Sequence, residues 1–420
     1  MHVKLGVVER RCPRRRVRRN LFEPSKVGRW VSFADLHREP FRLFFPAATV
    51  AGLIGIALWP LLLLGWREAY PGPSHARLMV QGFFGGFVFG FLGTALPRML
   101  EARPLAVGEV LFLFALFVGN VVAQTLGLNT LGDGVFVGEI VFLFCILLRR
   151  WCCGADRPPP SFVLAGLALC SAVVGTGIQL MGRRWELSPA VELLGRLFGY
   201  HGFVILCVLG AGGFVLPRFL GLGARRRFAA STLDAGGWNR AARIAAATGA
   251  MILLTYALEA AGWHRAAGLA RAVLVVAYLA REMPLERLRW SWQGVRWQMI
   301  VGMACVPIGA GAAGWFPSMR TTWWHVELMA GFSLITLAVA THVVFGHSGA
   351  RERLGRFRPQ LTGAGLLVLC GLVSRVSGDF LPGIQVSHYL YGAACWMAGV
   401  LVWAATVLPR VLRPDPEAET

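Results

Sequence analysis

Charge is scarce in this chain, and acidic charge is scarcer than basic. Only 15% of its 420 residues are Asp, Glu, Lys or Arg, while 56% are hydrophobic and the mean hydropathy is +0.57. A soluble domain carries about 25% charged residues, so a water-soluble protein is disfavoured. The chain has 42 Lys and Arg against 22 Asp and Glu. In a soluble protein this excess of basic residues would favour nucleic-acid binding. Here the positions of the basic residues indicate a different role.

Cysteine motifs are also missing. The nine cysteines form neither a C-x-x-C nor a C-x-x-C-H motif. Covalent c-type heme and zinc ribbons are therefore disfavoured. The Arg-rich start precedes a full-length apolar span rather than a short one, so no cleavable signal peptide is expected.

Long apolar runs are what the sequence has instead. Runs of roughly 18 to 25 residues recur from Phe41 almost to the C-terminus, each about long enough to cross a bilayer. They predict an all-α, polytopic membrane bundle of about twelve helices. The eighth is the weakest because Arg271 interrupts it. The predicted spans are 41–66, 75–97, 105–127, 131–149, 160–182, 190–217, 238–262, 265–282, 298–316, 323–346, 360–378 and 386–409.

Basic residues alternate between the predicted loops, with groups at 225–227 and 351–358 on the same side as the Arg-rich start. The positive-inside rule then predicts that both termini are cytoplasmic. Three regions result: a basic tail over 1–40, one transmembrane domain over 41–410, and a second tail over 411–420. Segment 28–42 is a candidate interfacial helix. Anionic lipid, and not nucleic acid, is the expected partner of the tail.

Histidine inside a membrane span is costly and is a functional hypothesis by default. His75, His325 and His388 each open a span that runs inward, so all three are expected near the outer face. Two imidazoles on facing helices can ligate one heme iron axially. We therefore predict these three residues as candidate heme ligands, with hydrogen bonding at the interface as the alternative.

Two further histidines are candidates for a separate metal. His201 lies about eleven residues into the sixth span, roughly 16 Å deeper, which suits a second metal. His325 and His347 are 22 residues apart on one span, about 33 Å, so they cannot share a ligand. His347 is predicted either to belong to a separate inner site or to face water.

The inward-running spans share a sequence pattern. Spans two, six and twelve end in Leu-Pro-Arg, and spans two, six and ten are four apart. This spacing indicates a unit of four helices used three times, with convergent composition of membrane helices as the alternative. The glycines of span two, such as Gly86 and Gly90, suit either close helix packing or a flat macrocycle. Carboxylates within or near spans can relay protons or form structural pairs; they are Glu109, Glu139, Glu259 and Glu327.

Several motifs resemble the NnrS family. The stretch His75–Met79 (HARLM) followed by Gly82-Phe83 is similar to that family's HAHEM..GF motif. TLAVATHVVFGHSG at 336–349 resembles its TLAVMTRA.LGHTGR. Similar short motifs occur at 41–45 and 213–221, so the resemblance covers about 41–410. The chain departs from the pattern at Arg77, Leu78, His342 and Ala350, and it lacks the adjacent histidine pair of an oxidase copper site.

The resemblance implies a twelve-helix bacterial inner-membrane protein that contains heme b and copper and is linked to denitrification and nitric oxide protection. The helix count is also similar to that of the catalytic subunit of heme–copper oxidases. By that analogy His75 and His325 would be the axial pair of one heme, and His201 would lie near copper or a second heme. The departures leave copper loading and catalytic turnover open.

The sequence thus predicts a heme-binding membrane protein of the nitric oxide response, with copper as an optional metal and enzymatic activity undecided. The expected partners are the bilayer, nitric oxide or another small diatomic ligand, and a redox partner. Two alternatives remain: a secondary transporter, which broken helices at midplane would favour, and a non-catalytic heme-bearing subunit for electron transfer.

Overall fold

A computed structural model describes residues 33–222 and 235–413. Within these ranges the chain forms helices and connections and no strand, which confirms the predicted all-α class. The twelve long helices are α1 Phe41–Leu63, α2 Gly72–Met99, α3 Val107–Thr125, α4 Asn129–Cys153, α5 Phe162–Met181, α6 Pro189–Phe219, α7 Ala235–Ala260, α8 His264–Glu282, α9 Arg296–Trp315, α10 Pro317–Gly346, α11 Pro359–Phe380 and α12 Pro382–Arg410.

Parts of the predicted tails and one predicted loop lie outside the described residues. These parts are 1–32, the basic group at 225–227 and 414–420. Of the candidate interfacial helix over 28–42, the described part begins with a short 3₁₀ helix, Phe33–Arg38, and continues into α1.

Eleven of the twelve long helices in the described ranges are long and apolar enough to cross a membrane, and α8 is the exception. It carries several charges, and Arg271 among them is fully buried. A salt bridge of 2.5 Å to Glu259 on α7 neutralises Arg271. On its other side α8 packs closely on α9, where Gly268 meets the backbone of Gly314. The weak eighth span is thus a helix of the bundle that is less apolar than the others, and a buried ion pair neutralises the charge within it.

Most of the described connections between successive helices are short, and those between α3 and α4 and between α7 and α8 are three residues long. Gly127 and Gly262 turn the chain after α3 and α7 at φ values of +77° and +98°, a conformation that favours glycine. The end of the bundle where α1 begins and α12 ends is here called the terminal face. The other end holds His75, His325 and His388 and is called the histidine face. The positive-inside rule predicts that the terminal face lies in the cytoplasm, and this orientation stays a prediction.

The helices α2, α6 and α10 form the interior of the bundle. Their apolar stretches are 78%, 72% and 78% buried, against 33% to 56% in the other candidate spans. Each also contains a π-helical segment: Leu78–Phe84, Leu197–Gly202 and Val326–Phe332. Such segments inside α-helices are frequent at functional sites. The three helices that are four apart therefore share a place and a local geometry, which α12 does not, while the unit of four helices stays a prediction.

The glycines of α2 pack against α1. A Cβ at Gly86 would lie 2.6 Å from the Ala48 Cβ, and one at Gly90 would lie 2.9 Å from the Phe41 Cα. Both distances are too short for a side chain, so glycine is what lets the two helices touch. Of the two sequence interpretations, helix packing is the one that the contacts support.

Gly86→Ala is expected to lower the free energy of unfolding by about 1 to 3 kcal/mol, because the added methyl group forces α1 and α2 apart. Gly119→Ala on α3 is the matched control, since no atom lies within 4 Å of its added Cβ. That control should be neutral or slightly stabilising. Thermal unfolding in detergent, followed by tryptophan fluorescence, compares them. Equal midpoints for the two variants would contradict the packing role.

Candidate functional site

His75 and His325 lie at the histidine-face ends of two inner helices. His75 precedes the π-helical segment of α2 by one turn, and His325 is the residue directly before that of α10. Both side chains are half-buried. The Arg375 guanidinium on α11 is within electrostatic range of both imidazoles, and the imidazoles are within electrostatic range of each other. The two predicted ligands therefore lie at the same face of the bundle, at the ends of two inner helices.

The hydrogen bonds of these two imidazoles determine their tautomers. The His75 Nδ1 lies 2.9 Å from the Gly55 carbonyl oxygen, and the His325 Nδ1 lies 2.7 Å from the Thr321 carbonyl oxygen. Because a carbonyl only accepts, each Nδ1 carries the proton and donates it. Each Nε2 is then left with a lone pair, which is the form in which histidine binds a metal.

A cluster of polar residues surrounds Arg375 beside this pair. Arg375 forms a salt bridge of 2.7 Å with Asp379 and lies over the Tyr389 ring, with its Cζ 4.2 Å from the ring centroid. The Tyr389 hydroxyl also donates to Asp379, and Thr322 donates to the other carboxylate oxygen at 2.5 Å. This carboxylate therefore ties α10, α11 and α12 together. Arg375 and Asp379 were not among the predicted site residues, although an Arg and an Asp four residues apart at the end of an apolar span were the available signal.

His388 has a partner of its own on α11. Its Nδ1 lies 3.3 Å from the Ser374 hydroxyl oxygen, which in turn donates to the His388 carbonyl at 2.8 Å. His388 shares the histidine face with the other two predicted ligands. It sits on α12, however, which is one of the least buried helices.

His201 lies deeper, inside the π-helical segment of α6, and is 2% exposed. Its Nδ1 is 2.8 Å from the Glu327 carboxylate on α10, and its ring is 4.6 Å from that of Trp324. The second Glu327 oxygen and the Tyr256 hydroxyl are buried without a hydrogen-bond partner in the described part of the chain. A carboxylate bound to Nδ1 is the arrangement that orients a metal-binding histidine. Sequence spacing placed Glu327 away from His325 but did not identify its partner.

The donors available for a metal are few at each place. Among the described residues, no group of three or more His, Cys, Asp and Glu side chains is arranged to hold a metal ion. The His75–His325 pair offers two imidazoles, and the deeper site offers His201 with Glu327. Two imidazoles would be enough to hold a heme, which proteins bind through one or two such ligands.

His347 lies at the terminal face, apart from the other histidines. Its Nδ1 is 2.8 Å from Glu39 and 2.8 Å from Arg98, and its ring packs on Phe41. Glu39 also bonds to Arg42 and Arg98. Burial alone would raise the pKa of Glu39, but the hydrogen bond from His347 and the charges of His347, Arg42 and Arg98 lower it from 4.5 to about 2.

Because the pKa of Glu39 is lower in the folded state, its contribution to stability is present above about pH 4.5 and is lost as the pH falls towards 2. Glu39→Gln should therefore lower the unfolding midpoint at pH 7 by a few degrees and flatten its decline between about pH 4.5 and 3. Glu352→Gln is the control, because that side chain is 59% exposed. Thermal unfolding at several pH values measures this. A parallel decline in the wild type and the Glu39 variant would exclude the proposed coupling.

Arg77, which stands where the family motif has a second histidine, belongs to a different site. Its Nε and Nη2 bind the Asp133 carboxylate on α4 at 2.7 to 2.9 Å. Both residues are buried. The role of Asp133 could not be predicted, because nothing local to residue 133 reveals a partner 56 positions away.

The comparisons agree with the motifs. The family model for NnrS, described as NnrS protein, matches residues 35–414. No curated protein matches the chain significantly. The family match includes all twelve helices and every histidine described above. The chain therefore belongs to the NnrS family.

Proposed function

We propose that this membrane protein binds heme b between α2 and α10 with His75 and His325 as axial ligands, and that it acts in the response to nitric oxide. The observation that carries the proposal is the shared state of the two imidazoles. Each donates Nδ1–H to a backbone carbonyl and leaves Nε2 available, and both lie where an inner helix meets the histidine face. A bound heme would supply a redox-active iron with affinity for small diatomic molecules.

The charges beside the pair suit a heme. Arg375 interacts with both imidazoles and is held by Asp379 and the Tyr389 ring. An arginine at the edge of a porphyrin can pair with a propionate carboxylate. These residues also fix α10, α11 and α12 to one another, so they hold His325 in place.

The deeper pair of His201 and Glu327 is the proposed place for copper or another second metal. Its Nδ1–carboxylate bond leaves Nε2 as the metal-binding atom. His388 is a weaker candidate ligand because it lies on an outer helix and has Ser374 as its partner. An inner metal site at His347 has the least support, since that imidazole is engaged with Glu39 and Arg98.

A half-open apolar cavity of about 80 Å³ supports a small uncharged ligand. The inner helices line it with residues that include Phe84 of α2, Val204 of α6 and Val339 of α10. Phe84 is nine residues beyond His75, about 14 Å along the helix. Lining side chains without charge favour a molecule such as nitric oxide over an ion.

Val339→Phe is expected to fill part of this cavity and to slow the binding of nitric oxide several-fold while leaving the heme spectrum unchanged. Leu401→Phe on α12 is the control, because Leu401 is exposed on the outside of the bundle. Stopped-flow absorbance after mixing with nitric oxide measures the rate. Equal rates in the two variants would remove the cavity from the account.

The function itself is tested on protein purified after expression with ample heme. We expect a Soret band that shifts when nitric oxide displaces one of the two imidazoles in the reduced protein. A redox-active heme whose spectrum does not change with nitric oxide would instead favour an electron-transfer subunit. Substrate uptake by liposomes that contain the heme-free protein would favour a transporter. The helices continue across their internal prolines, as α9 does at Pro307, which gives the transporter no broken helix there.

The positive-inside rule completes the proposal. It places the terminal face in the cytoplasm and the histidine face outside, in the inner membrane of a bacterium. The heme would then lie near the outer surface, where a redox partner could reach it.

A further inference from the structure

A chain of buried polar side chains crosses the histidine-face half of the bundle. Asp133 accepts from Arg77 and, at 2.8 Å, from the Gln81 amide. Gln81 accepts from Gln124 at 3.0 Å, and Gln124 also donates to Asn120 at 3.3 Å. These five side chains belong to α2, α3 and α4 and are 0% to 4% exposed. So many polar groups inside a membrane bundle indicate a function.

This row of hydrogen-bonded polar side chains reaches towards the surface of the protein at one end. Arg77 donates to Gln179 at 3.2 Å, and Gln179 is half-buried in the last turn of α5, at the histidine face. The other end leads inward to Asn120, one turn deeper than Gln124. The Asn120 Nδ2 and the Gln124 Oε1 have no hydrogen-bond partner among the described residues. The deep end of the chain therefore has a free donor and a free acceptor.

Glu139 on α4 lies just beyond this end. It is 0% exposed, and neither carboxylate oxygen has a hydrogen-bond partner within the described ranges. Gln124 contacts Gly132 across the antiparallel pair α3 and α4, so Asn120 is level with Phe136 and Glu139 is about one turn deeper. Phe117 and Phe136 both pack on Phe89 of α2, which places Asn120 and Glu139 on the side of their helices that faces α2.

An ionised carboxylate buried in the bundle without a partner would cost much free energy. A buried charge without a partner is avoided by neutralisation. Arg77, at the histidine-face end of these polar residues, is already bound to Asp133. A neutral carboxylic acid still seeks a hydrogen-bond partner, and a buried water between it and Asn120 would provide one. The free atoms of Asn120 and Gln124 are placed to hold such a water.

We propose that Glu139 is a protonated carboxylic acid at mid-membrane that exchanges its proton with the histidine face along the chain of Asn120, Gln124, Gln81 and Asp133. The proton leaves the Glu139 oxygen for the water held by Asn120 and Gln124 and passes through further water beside Gln81 to the solvent at the histidine face, while the resulting carboxylate accepts from the Asn120 amide. The amide side chains position this water and carry no proton themselves. Reprotonation reverses these two steps, so no other reactant is consumed. This proposal rests on the polar chain and is independent of heme.

Infrared spectroscopy of the full chain in lipid tests the proposal, with or without heme. We expect the carbonyl band of a protonated carboxylic acid at neutral pH. The band should disappear in Glu139→Gln and shift in Glu139→Asp, which also serves if the first variant does not fold. Glu109→Gln is the matched control, because Glu109 is paired with Arg150 and should leave the band unchanged.

Transfer into D₂O then tests the route. The acid band should shift promptly in the wild type, and Asn120→Leu should slow that shift by about tenfold while keeping the band. A missing band, or one that survives in Glu139→Gln, would overturn the protonated acid. An unslowed shift in Asn120→Leu would overturn the route.

Discussion

His75→Ala and His325→Ala are each expected to abolish the low-spin heme spectrum of the purified protein and to lower its heme content. Each imidazole offers one Nε2 to the proposed iron, because its Nδ1 is committed to a backbone carbonyl. Removal of either imidazole would leave the iron with one histidine ligand. The spin state of the iron would then change, and the protein would bind the heme more weakly. Optical and electron paramagnetic resonance spectra of the ferric protein measure the change.

The control for this pair is His264→Ala. His264 lies at the start of α8, at the same face, but its Nδ1 is 3.1 Å from the Arg320 guanidinium. Its loss should leave the heme spectrum unaltered. If both proposed ligand variants kept the wild-type spectrum, the ligand pair would have to be sought elsewhere, with His388 as the next candidate.

Glu259→Leu is expected to lower the free energy of unfolding by about 3 to 5 kcal/mol, because it leaves buried arginine charge without its partner. Glu259 is fully buried, forms a salt bridge of 2.5 Å with Arg271, and lies 3.3 Å from the Arg320 Nε. Arg271 is also held over the Tyr256 ring, with its Cζ 3.9 Å from the centroid. Denaturation of the protein in mixed micelles measures the loss.

A double-mutant cycle separates the ion pair from packing. Arg271→Leu combined with Glu259→Leu should recover part of the loss, because the double variant leaves neither member of the pair charged. Arg265→Leu, an exposed arginine on the same helix, should change stability little. If the double variant lost as much free energy of unfolding as the two single variants combined, the ion pair would not be what stabilises α8.

The sequence was sufficient to predict the helices because each apolar run is a local property. Phe41–Leu63, for example, is recognisable from its own residues, and its length matches the bilayer. The weak eighth span was also recognisable, since Arg271 interrupts it. How that helix is accommodated was not, because the compensating Glu259 belongs to the preceding helix and is paired only in the folded bundle.

The candidate site was predicted in part. Depth along a helix follows from counting residues, so His75 and His325 could be placed at one face. Their association with Arg375 depends on how α11 packs, which the sequence of α2 or α10 does not contain. The π-helical segments beside these histidines were not predicted either, because inserting one residue in a helix leaves the apolar composition unchanged.

The central claim is that one heme iron is held between two inner helices at the histidine face. Heme content of the purified wild-type protein, measured by the pyridine hemochrome spectrum and divided by protein concentration, tests it most directly. The account predicts heme b in about stoichiometric amount after expression with ample heme. Protein that is folded and monodisperse, yet carries no heme under those conditions, would contradict it.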